Sequence, residues 1–230
     1  MFSLENKTAV VTGAAGGIGA ACAKAYARHR IRGMVLTDVR TEGLEKVAGE
    51  IKAETGLDCI RTALDIRRET EVKALAAEAA EKLGRLDILL NCAGVSRMGS
   101  LYDVSEEQWD FTFGINVKGL FFICREAYRI MEKQGGGVII NLASQAARSG
   151  GLVVSPDYPS SKAAVLTLTK SLAKTGAAKQ IRVNTVAPGL IATEMTADFG
   201  YDPKTVPLGR IGTGEDVAGA CLFLASDYAS

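Results

Sequence analysis

The chain has 230 residues, 27 Lys+Arg against 26 Asp+Glu, 47% hydrophobic side chains and 23% charged ones. That is the composition of one ordinary globular domain (residues 1–230) with a full core, and it excludes general disorder. A formal net charge of +1 excludes the electrostatic footprint of a nucleic-acid or acidic-membrane binder.

No apolar run approaches the ~18 residues of a membrane-spanning helix. The opening Met1–Lys7 stretch has neither the basic nor the apolar region of a secretory leader, so a cytoplasmic protein is expected. Short, fully apolar runs at 8–12, 34–37, 59–64, 86–90, 138–142 and 181–187 predict strands buried on both faces. Helical spacing of apolar residues fills the intervals 17–28, 42–54, 69–83, 109–133 and 160–174. The alternation predicts an α/β fold, a doubly wound parallel sheet with helices on both faces.

The first strand runs into Thr12-Gly13-Ala14-Ala15-Gly16-Gly17-Ile18-Gly19, and a helix follows. Strand, glycine turn and helix together suit a dinucleotide. Gly13 makes the tight turn, Gly17 lets backbone approach a pyrophosphate, and Gly19 lets helix pack on strand. The helix N-terminus offers free N–H groups to the phosphates. The spacing is Gly-x-x-x-Gly-x-Gly, not the more general Gly-x-Gly-x-x-Gly. The only histidine, His29, falls where this helix ends, at the sheet edge away from the strand carboxyl ends, and reads as a helix-end surface residue.

Asp38 ends the second strand about 20 residues after the turn, where an acid accepts hydrogen bonds from the adenosine ribose. Its charge would repel a 2′-phosphate, which favours NAD over NADP; Arg40 nearby argues the other way, and a helix-capping role is the alternative. Five cysteines, Cys22, Cys59, Cys92, Cys124 and Cys221, lie no closer than about thirty positions apart, which fits neither a zinc site nor a disulfide framework. They read as buried, reduced thiols, and no metal is expected.

Further on, Tyr158-Pro159-Ser160-Ser161-Lys162 opens a helix. Tyr158 and Lys162 are four apart, hence on one face. An ammonium beside a phenol lowers the cost of the phenolate, as proton exchange near pH 7 requires. With six tyrosines in the chain, the pair alone is a weak signal; beside the nucleotide turn it becomes specific.

Taken in order, the 12–19 turn, Asp38, Asp65, Asn91-Cys92-Ala93-Gly94, Asn116, Ser144, Tyr158 with Lys162, and Pro188-Gly189 followed by Thr193 resemble the short-chain dehydrogenase/reductase family across essentially the whole chain. The resemblance implies a three-layer Rossmann-type fold, a nicotinamide cofactor, NAD(H), and a catalytic group of Asn116, Ser144, Tyr158 and Lys162. It implies that Ser144 holds the substrate oxygen, that Lys162 holds the nicotinamide ribose and acidifies Tyr158, and that Asn116 holds a water feeding Lys162. Asp65 and Ile66 would meet the adenine, and Ala93 and Gly94 the adenosine, while Asn91 would tie the central strands. Gly13, Gly17, Ile18 and Gly19 would cradle the pyrophosphate. Pro188, Gly189, Ile191 and Thr193 would present the nicotinamide. A helix cap for Asp65 and a helix-kink role for Asn116 are the alternatives.

The relatives it resembles are 3-oxoacyl-acyl-carrier-protein reductases and sugar or polyol dehydrogenases, usually homotetramers or homodimers acting on a small ketone or alcohol. Asp38 leans toward the second group. An NADP-linked reductase and a nucleotide-responsive binding protein without turnover are the alternatives. Substrate choice is expected in 96–102, 148–157 and a lid at 190–208. Three departures stand out. Cys92 occupies a position that is often Asn, the Ser144–Tyr158 interval is one residue longer than usual, and the sequence stops before the final strand. From the last, the polypeptide is expected to continue beyond Ser230, since 181–187 would otherwise be an open apolar edge.

Overall fold

The computed structural model describes residues 3–151 and 153–229. Six strands form one parallel sheet: β1 (Thr8–Thr12), β2 (Gly33–Asp38), β3 (Ile60–Ala63), β4 (Ile88–Asn91), β5 (Gly137–Leu142) and β6 (Ile181–Val186). Their order across the sheet is β3-β2-β1-β4-β5-β6. Chain order reverses between β1 and β4, which leaves a crevice at their carboxyl ends. The described residues place β3 and β6 at the two edges.

Alternation along the strands builds the layers. Ala9 and Val11 of β1 face a core completed by α1 (Gly17–Arg28), α2 (Thr41–Thr55) and α8 (Gly214–Ala225). Val10 faces the opposite core, with α3 (Glu69–Leu83), α5 (Leu120–Gln134) and α7 (Asp157–Gly176). Both faces are therefore dry along the central strands β1, β2, β4 and β5, which lack polar alternation. The edge strands differ from the apolar runs expected at 59–64 and 181–187, since Arg61 is exposed and Arg182 and Asn184 are half-buried. No described helix is long and apolar enough to cross a membrane.

The strands and most helices lie where the apolar pattern puts them, within a few residues. The stretch 109–133 differs. It begins earlier, as α4 (Glu106–Phe113), where the Ser105 hydroxyl caps the helix by accepting from the Gln108 N–H at 3.2 Å. It then widens into a π-helical turn at Gly114–Gly119 before α5. Gly119 explains part of the break: a Cβ there would come within 2.9 Å of the Ile66 carbonyl. α7 starts at Asp157, not at 160, with Pro159 in its first turn. α8 was not expected from the sequence; the reciprocal Thr213–Asp216 capping box starts it. A short α6 (Ala146–Ser149) also lies in the 148–157 region, of which Leu152 falls outside the described residues.

His29 caps the end of α1 as placed, but its ring is half-buried, with Nδ1 2.8 Å from the Ala25 carbonyl. The cysteines are free, and all but Cys92 are buried. The fold gathers three that lie far apart in sequence, since Cys22 hydrogen-bonds both Cys92 and Cys221.

A buried polar tie crosses the sheet from β4 to β5 and on to α7. Asn91 of β4 donates its side-chain amide to Asn141 Oδ1 of β5 at 2.8 Å, and Asn141 donates to Thr169 Oγ1 of α7 at 2.9 Å. Asn91→Leu would leave the Asn141 oxygen without that donor in a dry interior. The expected loss is about 1–3 kcal/mol in urea unfolding, with the circular dichroism of the folded state unchanged.

Candidate active site

At the head of the crevice, Gly13 takes φ +66° and sits so close to the β4 terminus that a Cβ would lie 2.7 Å from the Ala93 nitrogen. Thr12 Oγ1 accepts from that same Ala93 N–H at 3.1 Å. Gly17 also has a positive φ, +52°. A Cβ on Gly19 would collide with the Gly13 carbonyl. The three glycines thus fold the turn back on its strand and bring α1 in against it. α1 has no side-chain cap and no acidic residue in its first turn, so its first N–H groups are uncapped at the crevice, as an anion-binding terminus requires, with the Arg40–Glu194 pair beside Gly16. Ile18 is half-buried and packs on the α1–α2–α8 core.

Asp38, at the end of β2, holds the turn itself: Oδ2 accepts from Ala15 N–H at 3.2 Å and Oδ1 from Arg40 N–H at 3.0 Å. Arg40 reaches across to the segment after β6, where Nη1 donates to Glu194 Oε2 at 2.6 Å. Asp65 is occupied differently. Arg67 grips its carboxylate through Nε and Nη2, at 3.0 and 2.6 Å, and holds it below the usual carboxylate range. Ile66 is buried beneath the Gly114–Gly119 turn. Asn91 is also buried, its amide spent on Asn141 and Cys124, so its side chain serves the sheet and not the crevice.

On the other side of the crevice, α7 delivers Tyr158 and Lys162. The Ser144 hydroxyl, just past β5, hydrogen-bonds the Tyr158 phenol. Lys162 Nζ lies 5.9 Å from the Tyr158 ring centroid and donates to the Leu142 carbonyl at 2.8 Å. Gly94 gives the space: a Cβ there would stand 3.2 Å from Lys162 Nζ and 3.3 Å from Asn116 Oδ1. Asn116 projects from the π-helical turn, accepting from Val95 N–H at 2.9 Å and donating to Val95 O and Ser161 Oγ, each at 3.0 Å. Both amide hydrogens are therefore committed to protein, and Oδ1 keeps one lone pair.

Burial sets the electrostatics. It pushes the Tyr158 phenol above its ordinary value, with the Ser144 bond pulling the other way. It pushes the Lys162 ammonium down to about 8. The protein thus keeps the phenol protonated near neutrality beside a lysine able to give up its own proton. Such a pair can donate and take back a proton at a ligand oxygen held by Ser144.

The segment after β6 closes the far wall. The Pro188 carbonyl accepts from Gln145 N–H at 2.8 Å, and a Cβ on Gly189 would lie 3.4 Å from Gln145 Oε1. Ile191 pairs with Gly212. The Thr193 methyl lies 3.4 Å from the Cβ position of Gly17, so this segment touches the glycine turn. Burial and, after it, the charge of Tyr158 push the Tyr201 phenol above its ordinary value, which places Tyr201 near Tyr158. The structure therefore brings Gly13, Gly17, Gly19, Ala93, Gly94, Asn116, Ser144, Tyr158, Lys162 and Thr193 around one crevice. Gln145 and Ser161 belong with them and were not singled out in the sequence, where only the i+3 spacing of Ser161 from Tyr158 offered a signal; Thr12 was read as the start of the turn, without a role for its hydroxyl.

A family model described as short chain dehydrogenase matches residues 7–204. The chain is 38% identical over 235 residues to the D-threitol dehydrogenase of Mycolicibacterium smegmatis, covering 100% of this chain and 89% of that protein. It is 35% identical over 235 residues to a 3-oxoacyl-acyl-carrier-protein reductase of Thermotoga maritima, covering 99% and 93%. It is 37% identical over 239 residues to the NAD-dependent glycerol dehydrogenase of Listeria innocua, covering 100% and 90%. A solved structure of a short-chain type dehydrogenase/reductase from Mycobacterium marinum superposes with a TM-score of 0.94 at 35% identity, covering 99% of this chain and 91% of that one.

The Lys162 shift has a measurable consequence. Its folded value, about 8, lies below the ~10.4 of an unfolded lysine. Between those values the unfolded chain binds more protons, so this group adds stability as pH rises. The unfolding free energy of the wild type should gain on that of Lys162→Met from pH 8 to 10; a constant difference in urea melts would contradict the burial argument.

Proposed function

The chain belongs to the short-chain dehydrogenase family, and from that premise we propose that it interconverts a secondary alcohol, of the small polyol class, and its ketone with NAD(H). One observation carries the reading: Tyr158, Lys162 and Ser144 meet at the crevice that the 12–19 turn opens. The residues present fit a dinucleotide, since glycines leave the turn bare and the first turn of α1 contains no acidic residue; the Glu194 carboxylate that stands 3.3 Å from the Cβ position of Gly16 is paired with Arg40. When bound, its nicotinamide supplies the hydride donor or acceptor.

In reduction, Tyr158 gives its proton to the carbonyl oxygen. Ser144 hydrogen-bonds that oxygen as it gains negative charge. Lys162 stabilises the phenolate left behind and, at about 8, can pass on a replacement proton. Oxidation reverses these steps and needs Tyr158 deprotonated. Alcohol oxidation should accordingly rise with pH, and ketone reduction fall.

Asp38 supports NAD. Its carboxylate lies at the end of β2 beside the turn, where it would repel a 2′-phosphate. Arg40, the basic group that could receive such a phosphate, is committed to Glu194 and leans on Asp38 at 3.5 Å. The names of the threitol and glycerol dehydrogenases support a polyol. A homotetramer or homodimer is part of this reading, supported by Trp109 stacked on Phe113 at 4.7 Å and half-exposed with Phe121 on α4 and α5.

The test is NADH and NADPH turnover against a panel of polyols, sugars and 3-oxoacyl thioesters. NADH should be preferred by at least about tenfold in kcat/KM, some 1.4 kcal/mol, and Asp38→Ala should narrow the gap. Equal use of both cofactors refutes the NAD assignment, thioester reduction alone selects the acyl-carrier reading, and NADH binding without turnover selects a binding protein.

Tyr158→Phe should abolish nearly all turnover and leave NADH binding intact. General acid–base catalysis is worth ~10²–10⁴, so more than about a tenth of the wild-type rate would mean that another group is the acid.

A further inference from the structure

Asp157, the residue before Tyr158, is 1% exposed. No ion pair among the described residues includes it. Two hydroxyls hold its carboxylate instead: Thr112 of α4 donates to Oδ2 and Ser155 donates to Oδ1, each at 2.5 Å. Its place in the first turn of α7 adds the favourable end of the helix dipole.

These contacts join separate walls of the crevice. Ser155 is tied through its N–H to the Arg97 carbonyl at 3.0 Å, and Val154 bridges Met98. The segment leading out of β4 and the segment leading into α7 thus meet at Ser155. Gln108 of α4 donates to the Ser155 hydroxyl at 3.3 Å, and the Ser155 carbonyl accepts the Tyr158 N–H at 3.1 Å. A buried carboxyl group is an expensive way to fill space. Its geometry is specific: one oxygen is met from α4 and the other from the segment that leads into α7.

We propose that Asp157 is a positioning residue for Tyr158, its carboxylate tying α4 and both crevice segments to the first turn of α7 and so fixing the phenol against Ser144 and Lys162. The proposal rests on the reading of Tyr158 as the acid–base group. Asparagine keeps the shape, and the Thr112 and Ser155 hydroxyls can turn to suit an amide. Alanine removes the tie.

The charged and titratable groups around the phenol are Lys162 on its own helix and Tyr201 from the segment after β6. Ser144 is the group whose hydrogen bond lowers the phenol, so with that contact loosened Tyr158 titrates higher.

The experiment compares Asp157→Ala, Asp157→Asn and Thr112→Val with the wild type. It reads kcat for polyol oxidation, the pH of its rising limb, NADH affinity by fluorescence, and the tyrosinate absorbance of Tyr158. The last is taken in the presence of NAD, as the difference from the matching Tyr158→Phe protein. Asp157→Ala should lower kcat by about ten- to a hundredfold, the scale of a misplaced reacting group. It should also move both the limb and the tyrosinate midpoint upward and leave NADH affinity little changed. Asp157→Asn should recover most of the rate. If Asp157→Ala fails to fold, Thr112→Val removes one donor and should show the same shifts in smaller measure. A wild-type rate and midpoint in the folded variants, or a lowered melting temperature alone, overturns the proposal and leaves the acid–base reading standing. Free turnover by Tyr158→Phe overturns that reading first.

Discussion

Everything in the crevice depends on how closely two strand ends approach each other. Gly13 passes within van der Waals contact of the backbone at Cys92 and Ala93, and Thr12 Oγ1 fastens the approach through the Ala93 N–H. A side chain at 13 would force the turn off β4 and strain a backbone already at φ +66°. The sheet order makes the contact necessary. β1 and β4 are neighbours whose following segments leave in opposite directions, and the space they vacate is the crevice. α1 begins only after the chain has turned there, so the position of its N–H groups follows from one glycine.

The opposite wall is held by a comparable economy of side chains. Gly94 has no Cβ, and Lys162 Nζ and Asn116 Oδ1 occupy the space beside it. The π-helical turn at Gly114–Gly119 carries Asn116 inward, and Gly119 lets that turn lie against the Ile66 backbone. Such wide turns cost regular hydrogen bonding and persist where the surroundings over-determine them. Here the Asn116 amide does that, bridging Val95 to Ser161 on α7. β4, α4–α5 and α7 are consequently registered against one another at the point where Lys162 emerges.

Periodicity and local chemistry made much of this legible. The dry strands announce themselves because parallel pairing buries both faces, and Thr12–Gly19, Tyr158 and Lys162 carry their spacing in the chain. What stayed hidden depends on partners far away in sequence. Helical spacing across 109–133 is nearly continuous, so the π turn leaves no mark; the Ile66 backbone against which Gly119 lies comes from the turn after β3. α8 begins at a capping box that an expectation centred on apolar runs passes over. Asp65 shows the converse. The resemblance implies that it meets the adenine, yet Arg67 grips its carboxylate, and residue spacing cannot reveal a competing partner. Cys22, Cys92 and Cys221 likewise meet only because α1, the β4 terminus and α8 converge.

The same burial that shapes the pocket decides its chemistry. Moving a phenol and an ammonium out of water penalises the charged form of each, so Tyr158 is raised and Lys162 lowered. Their proton affinities, nearly equal at the ordinary values of ~10 and ~10.4, are driven apart: the phenol holds its proton more tightly and the lysine gives up its own at about 8. Near neutrality the proton therefore rests on Tyr158, and Lys162 is the more acidic neighbour, able to refill the phenol once its proton has gone to a ligand oxygen. The Ser144 bond opposes the rise of the phenol. Taking the proton back needs the phenolate stabilised by the groups beside it, because the group that protonates an oxygen in one direction must remove the proton in the other. Desolvation by the fold, and not the spacing of Tyr158 and Lys162 alone, sets that starting state.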